Sequence, residues 1–472
     1  MLSSPQLCSS SLDVEISRQP QAFKSGPSPN LNISEHFGDF LYRGLPCVWD
    51  GTRYVVFSPY ALKIARVPPA ALHLDETTRR LERERFFGQP ARPSQSARTA
   101  RFGLIVTTGC NLRCKYCYVV PEAKPRMMSP QCAIGIIRER IKPNTEKVSL
   151  SFFGGEATLN MPVLKAAVEY VKSLGIPYQF LINTNGTAPD EDLDYMISNN
   201  FIFIVSSDGP PGVTDFQRPM TNKSGVSTSV ERTIGRLAAA GSLFQVRPTV
   251  TAKSVSYLSE GIKYWSDLGV RFVHVEPVGS SKNSKLFELS CSDPNDYVSA
   301  ITSALDEAER QRIWIISSAY MNLLTPSTYF CTLVAGEKEM YTPDGAISAC
   351  YKVQEKDHSV ADFIVGEYDA STDEFIRNDR RANHLRQLEV RSDGPCVTCH
   401  ARYICAGGCP FRNLVETGNM LGVDPWSCFV KKALVHDAIL RIARGLEEGR
   451  VPVVLGQSVF EHLVAESYIS RR

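Results

Sequence analysis

The sequence lacks most of the features that mark a compartment or a polyanionic partner. No apolar run approaches the roughly 18–20 residues that cross a bilayer, which argues against a membrane protein. The opening stretch, MLSSPQLCSSSLDVEISRQP, has no basic segment followed by an apolar one. No secretory signal is therefore expected, and the cytoplasm is the expected address. Charge of one sign does not dominate: 52 Lys and Arg face 50 Asp and Glu, for a net +2. Without a bulk field, neither nucleic acid nor acidic lipid is indicated as a partner. At 43% hydrophobic and 22% charged residues, wholesale disorder is excluded. No internal repeat is evident, and 472 residues suggest about three domains at roughly 150 residues each.

What is abundant is sulfur. The chain holds 14 cysteines, three of them within Cys110–Cys117 and seven between Cys331 and Cys428. In a long chain without a secretory signal thiols stay reduced, so a disulfide framework explains the clustering poorly. Grouped soft thiolates in a reducing compartment point to zinc or to iron–sulfur.

The chain divides by pattern. Residues 1–34, rich in Ser, Pro and Gln, read as a mobile lead. A small α+β unit follows (35–95): short strands at Phe40–Arg43 and Arg53–Ser58 around an Asp50-Gly51 turn, then helical stretches at Tyr60–Ala65 and Leu74–Phe86. Gly88–Ala100 reads as a linker. Across 101–280 apolar strands alternate with helices. The strands are expected at Leu104–Thr107, Val148–Phe153, Tyr178–Asn183, Phe201–Ser206, Phe244–Val250 and Phe272–Val275. Six strands alternating with helices predict an α/β domain with a parallel sheet. Polar motifs close nearly every strand, which favours a partial or full barrel whose chemistry gathers at the C-terminal strand ends. Residues 281–328 supply a linker and a helix, 329–430 a cysteine-rich domain, and 431–472 a long amphipathic helix with a weakly specified tail.

Directly after the first strand comes Cys110-Asn111-Leu112-Arg113-Cys114-Lys115-Tyr116-Cys117, a C-x3-C-x2-C loop. Three thiolates can hold three irons of a cubane and leave the fourth open to a small molecule. Spacing alone also admits a zinc site completed elsewhere, or buried thiols. With its aromatic before the last cysteine, the loop resembles the signature of the radical SAM superfamily. That resemblance implies a 4Fe–4S cluster whose free iron chelates S-adenosylmethionine, and a 5′-deoxyadenosyl radical that abstracts hydrogen from the substrate. The other strand ends match as well. Gly154-Gly155-Glu156 resembles the motif that binds the methionine amino group, with Glu as anionic acceptor and the glycines allowing close backbone approach. Asn183-Thr184-Asn185-Gly186 and Ser206-Ser207-Asp208-Gly209 resemble the segments facing the cofactor's ribose and carboxylate. Arg218 is a candidate for that carboxylate, and Glu276-Pro277-Val278 closes the series. By this resemblance Tyr116, Gly154, Gly155, Glu156, Asn185, Ser206, Asp208 and Arg218 are the expected cofactor contacts.

Further on, Cys331-x13-Gly345-x4-Cys350 is followed by Cys396-x2-Cys399-x5-Cys405-x3-Cys409 and Cys428. Paired spacings of this kind also suit zinc ribbons. The pattern resembles the SPASM domain of peptide and protein maturases, which implies two auxiliary 4Fe–4S clusters and three in all. Cys331, Cys350 and Cys409 would hold the first; Cys396, Cys399, Cys405 and Cys428 would hold the second. No further cysteine stands beside Cys331. The first auxiliary cluster is thus left with an open iron, a non-cysteine ligand, or Cys291 reaching in. Cys8, Cys47 and Cys132 read as ordinary thiols.

The fold expected from the resemblance is a radical SAM partial (β/α)6 barrel, a small cysteine-rich SPASM domain and an α+β N-terminal appendage. The activity it implies is oxidative modification of a residue in a ribosomally made peptide, forming a C–C, C–S or C–O bond, with a flavodoxin- or ferredoxin-type reductant. The N-terminal unit could bind a leader peptide by strand addition, or merely pack on the barrel. Two alternatives remain at this point. In the sulfatase-maturing branch an Asp adjoins the second auxiliary cysteine, whereas Cys350 here is followed by Tyr351. A non-catalytic iron–sulfur scaffold would not need the Glu156 and Asp208 segments. Tyr116, Asp215, His274 and Tyr351 are candidate general bases, and none has a deciding context.

Overall fold

The computed structural model describes residues 15–16, 38–92, 98–119, 124–356, 358–369 and 371–468. The expected lead, apart from residues 15–16, lies outside the described residues, as do Cys8, 93–97 of the linker and 469–472 of the tail.

The N-terminal unit is an antiparallel sheet of β1 (Glu15–Ile16), β2 (Phe40–Tyr42), β3 (Leu45–Trp49), β4 (Tyr54–Ser58) and β5 (Lys63–Val67), in the order β1-β5-β4-β3-β2. The Asp50-Gly51 turn joins β3 to β4: Asp50 Oδ1 accepts from the amides of Thr52 and Arg53, and Gly51 has φ +99°. The helix expected at Tyr60–Ala65 is instead β5. A turn with Leu62 at φ +49° reverses the chain there, so Lys63–Val67 pairs along β4 from Ser58↔Lys63 to Tyr54↔Val67. Alternation then sorts the side chains: Cys47, Val56 and Ala65 form a small core with Leu81 of the helix Asp75–Arg83, while Val48, Val55 and Phe57 join the main core. The unit rests on the long C-terminal helix Pro425–Glu448 rather than on the barrel: Arg66 pairs with Glu447 at 2.8 Å and Asp39 with His436 at 2.6 Å.

The barrel strands are β6 (Thr99–Thr107), β7 (Lys147–Gly154), β8 (Tyr178–Thr184), β9 (Ile202–Ser206), β10 (Phe244–Arg247), β11 (Thr249–Val250), β12 (Phe272–His274), β13 (Glu276–Pro277) and β14 (Trp314–Ile316). β6-β7-β8-β9-β10-β12-β14 run parallel in that spatial order, and β11 pairs with β13 alongside. The single strand expected at Phe244–Val250 is broken because Pro248 has no N–H to donate. β14, only three residues long, was not anticipated; it pairs with β12 from Phe272↔Trp314 to His274↔Ile316. The sheet does not close. On its other side β6 pairs in parallel with β15 (Glu339–Tyr341), which continues antiparallel through β16 (Ala346–Ser348), β17 (Ile364–Asp369) and β18 (Glu374–Arg377). The partial barrel and the first part of the cysteine-rich region therefore share one eleven-stranded sheet.

The tail is more specified than its sequence suggested. Its helix Gly456–Glu466 carries Phe460 into a cluster with Ile202, Phe272 and Ile316, the inward residues of three barrel strands. Gln179 of β8 donates to Ser467 Oγ at 3.0 Å. Among the described residues no helix is long and apolar enough to cross a membrane.

Candidate active site

The cysteine loop leaves β6 at Thr107 and is held by its neighbours' backbones. Gly155 N–H donates to the Thr107 carbonyl at 2.9 Å and Glu156 N–H to the Gly109 carbonyl at 2.8 Å. A Cβ on Gly154 would stand 2.4 Å from the Thr107 oxygen, and one on Gly155 2.2 Å from the Gly109 oxygen. The close approach that these glycines permit is thus to the cysteine loop itself. Arg113 N–H and Lys115 N–H donate to the carbonyls of Pro219 and Gln217, and Ser281 Oγ and Asn283 Nδ2 donate to the carbonyls of Tyr116 and Cys117.

Within this frame Cys110, Cys114 and Cys117 face one another closely enough to influence each other's ionisation. Burial pushes Cys110 up to about 11, with Glu156 and Cys117 adding to it, and Cys114 up to about 12, with the neighbouring thiols and Asp208 adding to it and Arg218 opposing. Such thiols give up their protons to a metal rather than to water. Two N–H donors already point at Cys110 Sγ: Leu112 N at 3.4 Å and Asn185 Nδ2 at 3.8 Å. The expected contact residues surround the loop. Glu156, 1% exposed, accepts from Thr158 Oγ1 (2.7 Å), Thr184 Oγ1 (2.8 Å) and Asn185 N (2.6 Å), tying the end of β8 to that of β7. Burial raises its pKa against those hydrogen bonds.

Asp208 and Arg218 occupy each other. Arg218 Nε and Nη2 donate to the two carboxylate oxygens, each at 2.9 Å, and Tyr116 Oη (2.7 Å), Gln217 Nε2 (2.8 Å) and Thr249 N (2.8 Å) complete the set. The Arg218 guanidinium also lies 5.3 Å from the Tyr116 ring centroid. In this arrangement Arg218, expected at the cofactor's carboxylate, and Asp208 together anchor the tyrosine that precedes Cys117. Ser206, at the end of β9, remains turned to the barrel interior in register with Arg247.

The second group of thiols falls into two sets. Cys331, Cys350 and Cys409 influence one another, and burial pushes Cys331 up to about 11 and Cys350 up to about 12. Cys396, Cys399, Cys405 and Cys428 line one cavity of about 80 Å³, with Lys431, Lys432 and Arg402 on its wall. Their donor chemistry and their enclosure of a cavity fit a soft metal centre. Among the described residues no three His, Cys, Asp or Glu side chains converge as ligands of one metal ion. Cys291 belongs to neither set: its thiol donates to the Val278 carbonyl at 3.0 Å and lies 3.8 Å from Arg412 Nη2. Cys47 and Cys132 are buried in the cores, as ordinary thiols are.

Between the cysteine loop and Cys350 lies a cluster of polar and aromatic side chains. Tyr118 and Tyr351, which follow Cys117 and Cys350 in sequence, meet edge to face at 6.5 Å, and Phe153 packs on Tyr351 at 5.6 Å. Lys352 stands 5.9 Å from the Tyr118 ring. Arg247 closes β10 beside Tyr351 and Glu276; burial works against its charge, and these two neighbours more than restore it. Of the candidate bases, Tyr116 is bound to Asp208. Asp215 is spent on the start of the helix Ser227–Ala239, accepting from Val226 N, Ser227 N and Ser227 Oγ. Tyr351 belongs to the aromatic cluster, and His274 lies beside Arg247 and Glu276. Arg247 and Tyr118 were missed in the sequence: the fifth strand end had no motif to flag it, although Arg-Pro closing a barrel strand was a signal available there.

Comparison with known proteins agrees with this geometry. Residues 104–250 match the radical SAM superfamily. A serine-type anaerobic sulfatase-maturating enzyme of Bacteroides thetaiotaomicron is 23% identical over 399 residues, covering 73% of this chain and 94% of that protein. The solved structure of the maturase anSMEcpe with bound AdoMet superposes with a TM-score of 0.62 at 16% identity, covering 77% of this chain and 99% of the other. Streptococcus suis SuiB bound to its precursor peptide SuiA gives a TM-score of 0.51 at 13% identity, covering 75% and 79%. The chain is thus an enzyme that carries a radical SAM domain, the kind of domain that uses S-adenosylmethionine with a 4Fe–4S cluster, at residues 104–250, and over most of its length it is similar to anaerobic sulfatase-maturating enzymes.

Proposed function

We propose that the protein is a peptide maturase carrying three 4Fe–4S clusters. Cys110, Cys114 and Cys117 hold the one that binds the cofactor. Cys331, Cys350 and Cys409 hold the nearer auxiliary cluster, and Cys396, Cys399, Cys405 and Cys428 the farther. Bound at the first of the three clusters and reduced by one electron, S-adenosylmethionine would supply a 5′-deoxyadenosyl radical. The chain's own residues hold the cysteine loop that would carry it: Glu156 and Asn185 stand behind Cys110, and Asp208 with Arg218 fixes Tyr116. The observation that carries the reading is the contact of Tyr118 with Tyr351, which brings the residue after Cys117 against the residue after Cys350 and so sets the cofactor loop beside the nearer auxiliary set. A substrate residue bound beside this aromatic cluster would be within reach of both a hydrogen-abstracting site and an electron acceptor, which suits a two-electron oxidation. The peptide bound to SuiB in its solved structure supports a ribosomally made peptide as the substrate, and a flavodoxin- or ferredoxin-type donor would supply the electron. Sulfatase maturation is the second reading, favoured by the length over which the sulfatase-maturating relative aligns; Tyr351 in place of an acidic neighbour of Cys350 speaks against it.

The test is anaerobic turnover of the reduced holoenzyme with S-adenosylmethionine and the short peptides encoded beside its gene. Formation of 5′-deoxyadenosine with a peptide lighter by two hydrogens is expected. Formylglycine in a sulfatase peptide, with the adjacent peptides untouched, would transfer the assignment to the second reading.

A further inference from the structure

Oxidation of a substrate by hydrogen abstraction requires that two hydrogens be accounted for. Loss of a hydrogen atom leaves a carbon radical. A closed-shell product forms only when that radical also gives up one electron, to an iron–sulfur oxidant, and one proton, to a base. The peptide then loses two hydrogens, one as an atom and one as a proton. The proton's destination is the open question.

Sheet register places a candidate. Ser206 and Arg247 are paired residues on β9 and β10, and Val246 pairs with Val273, so Arg247 and His274 sit at one level on neighbouring strands. All three therefore project from the same face at the C-terminal ends, into the barrel mouth. His274 Nε2 is 2.8 Å from Glu276 Oε1, and Glu276 in turn accepts from Ser318 N at 2.8 Å and Ser318 Oγ at 2.7 Å. With that side fixed, the hydrogen bond to Glu276 is the one His274 side-chain bond recorded among the described residues, and it leaves Nδ1 for the substrate. Lys352 offers only donors, and Arg247 stays charged.

Resting on the maturase reading, we infer that His274 is the catalytic base that takes the substrate proton on Nδ1, and that Glu276 is the positioning residue that fixes its tautomer. Ser318 holds Glu276, so the three form a relay in which the imidazolium created by proton transfer is met by a carboxylate. The resting protonation states suit the roles. Burial lowers the His274 pKa, with Arg247 adding to that and Glu276 opposing it, which keeps the imidazole neutral at physiological pH. The groups facing this pair are Arg247 from β10, Tyr351 behind it, and Tyr297 and Tyr320 beside Glu276.

The test uses full-length, anaerobically reconstituted enzyme and the peptides encoded beside its gene, read by mass spectrometry. His274→Ala should lower the rate of two-hydrogen loss by about 10²–10⁴-fold. Added imidazole should restore part of it, and more basic imidazoles should restore more. His274→Gln, whose amide can still donate to Glu276, serves if the alanine variant loses its iron, and should show the same loss. Glu276→Gln removes the group that raises the histidine's pKa, so the acid limb of the rate profile should move to lower pH. An unchanged rate in His274→Ala or His274→Gln overturns the proposal, as does a loss that no imidazole rescues in a variant of full iron content. If wild-type enzyme makes 5′-deoxyadenosine yet oxidises none of these peptides, the maturase reading itself falls, a result distinct from the other two.

Discussion

Asp208 receives five hydrogen bonds, from Tyr116, Gln217, Thr249 and twice from Arg218, in a place where its side chain is 0% and that of Arg218 8% exposed. A buried pair of this kind contributes little by existing and costs much when half of it is removed. Asp208→Asn should therefore destabilise the folded protein by about 3–5 kcal/mol, read as a lowered denaturation midpoint under anaerobic conditions. The motif containing Asp208 was legible, because serine, aspartate and glycine at a strand end form a pattern. What its carboxylate does was not. Spacing told that Arg218 lies ten residues away, but which of two anions an arginine meets depends on how the helix Pro211–Gln217 brings it back.

At the scale of elements, β15 fastens the cysteine-rich region to the barrel. Its Glu339 accepts from Arg140, at the end of the helix Pro130–Arg140, at 3.0 Å, and from Arg377 of β18 and Tyr341. Burial alone would raise the Glu339 pKa; Arg140 and Arg377 outweigh it and hold it below the usual 4.5. A carboxylate depressed by folding stabilises above its unfolded pKa, and that stabilisation disappears as the pH falls through the folded one. Glu339→Gln should thus lower the urea midpoint at neutral pH and flatten its decline on acidification, measured as a midpoint series from neutral pH downward. The elements most legible in sequence were the long ones with one clear period: β7, β8 and the helices Met161–Ser173 and Pro425–Glu448. The misreadings have local causes. β5 was hidden by the turn at Leu62, β10 and β11 were fused across Pro248, and three-residue β14 is too short for any periodicity to register. The helix Gly456–Glu466 acquires its role only from the barrel floor it covers, through Phe460.

Over the whole molecule, ten cysteines scattered along more than 300 residues, from Cys110 to Cys428, are brought into three sets. One continuous sheet carries the cysteine loop at the end of β6, and β16 leads directly to Cys350. The helix Pro425–Glu448 brings Cys428 to the four-cysteine cavity while its far end supports the N-terminal unit. Spacing separated the N-terminal three from the C-terminal seven, and the family resemblance, not spacing, divided those seven by placing Cys409 with Cys331 and Cys350. The side-chain cluster between them was not legible, since Tyr118, Arg247, His274 and Tyr351 come from four distant segments with no shared motif. The most direct measurement of the account is the iron and acid-labile sulfide content of the anaerobically reconstituted chain, alone and with one set of cysteines removed at a time. Three cubanes predict about twelve irons in the wild type, and about eight both in Cys110→Ala/Cys114→Ala/Cys117→Ala and in Cys396→Ala/Cys399→Ala/Cys405→Ala. About four irons in the wild type, with zinc bound in the C-terminal region, would contradict it.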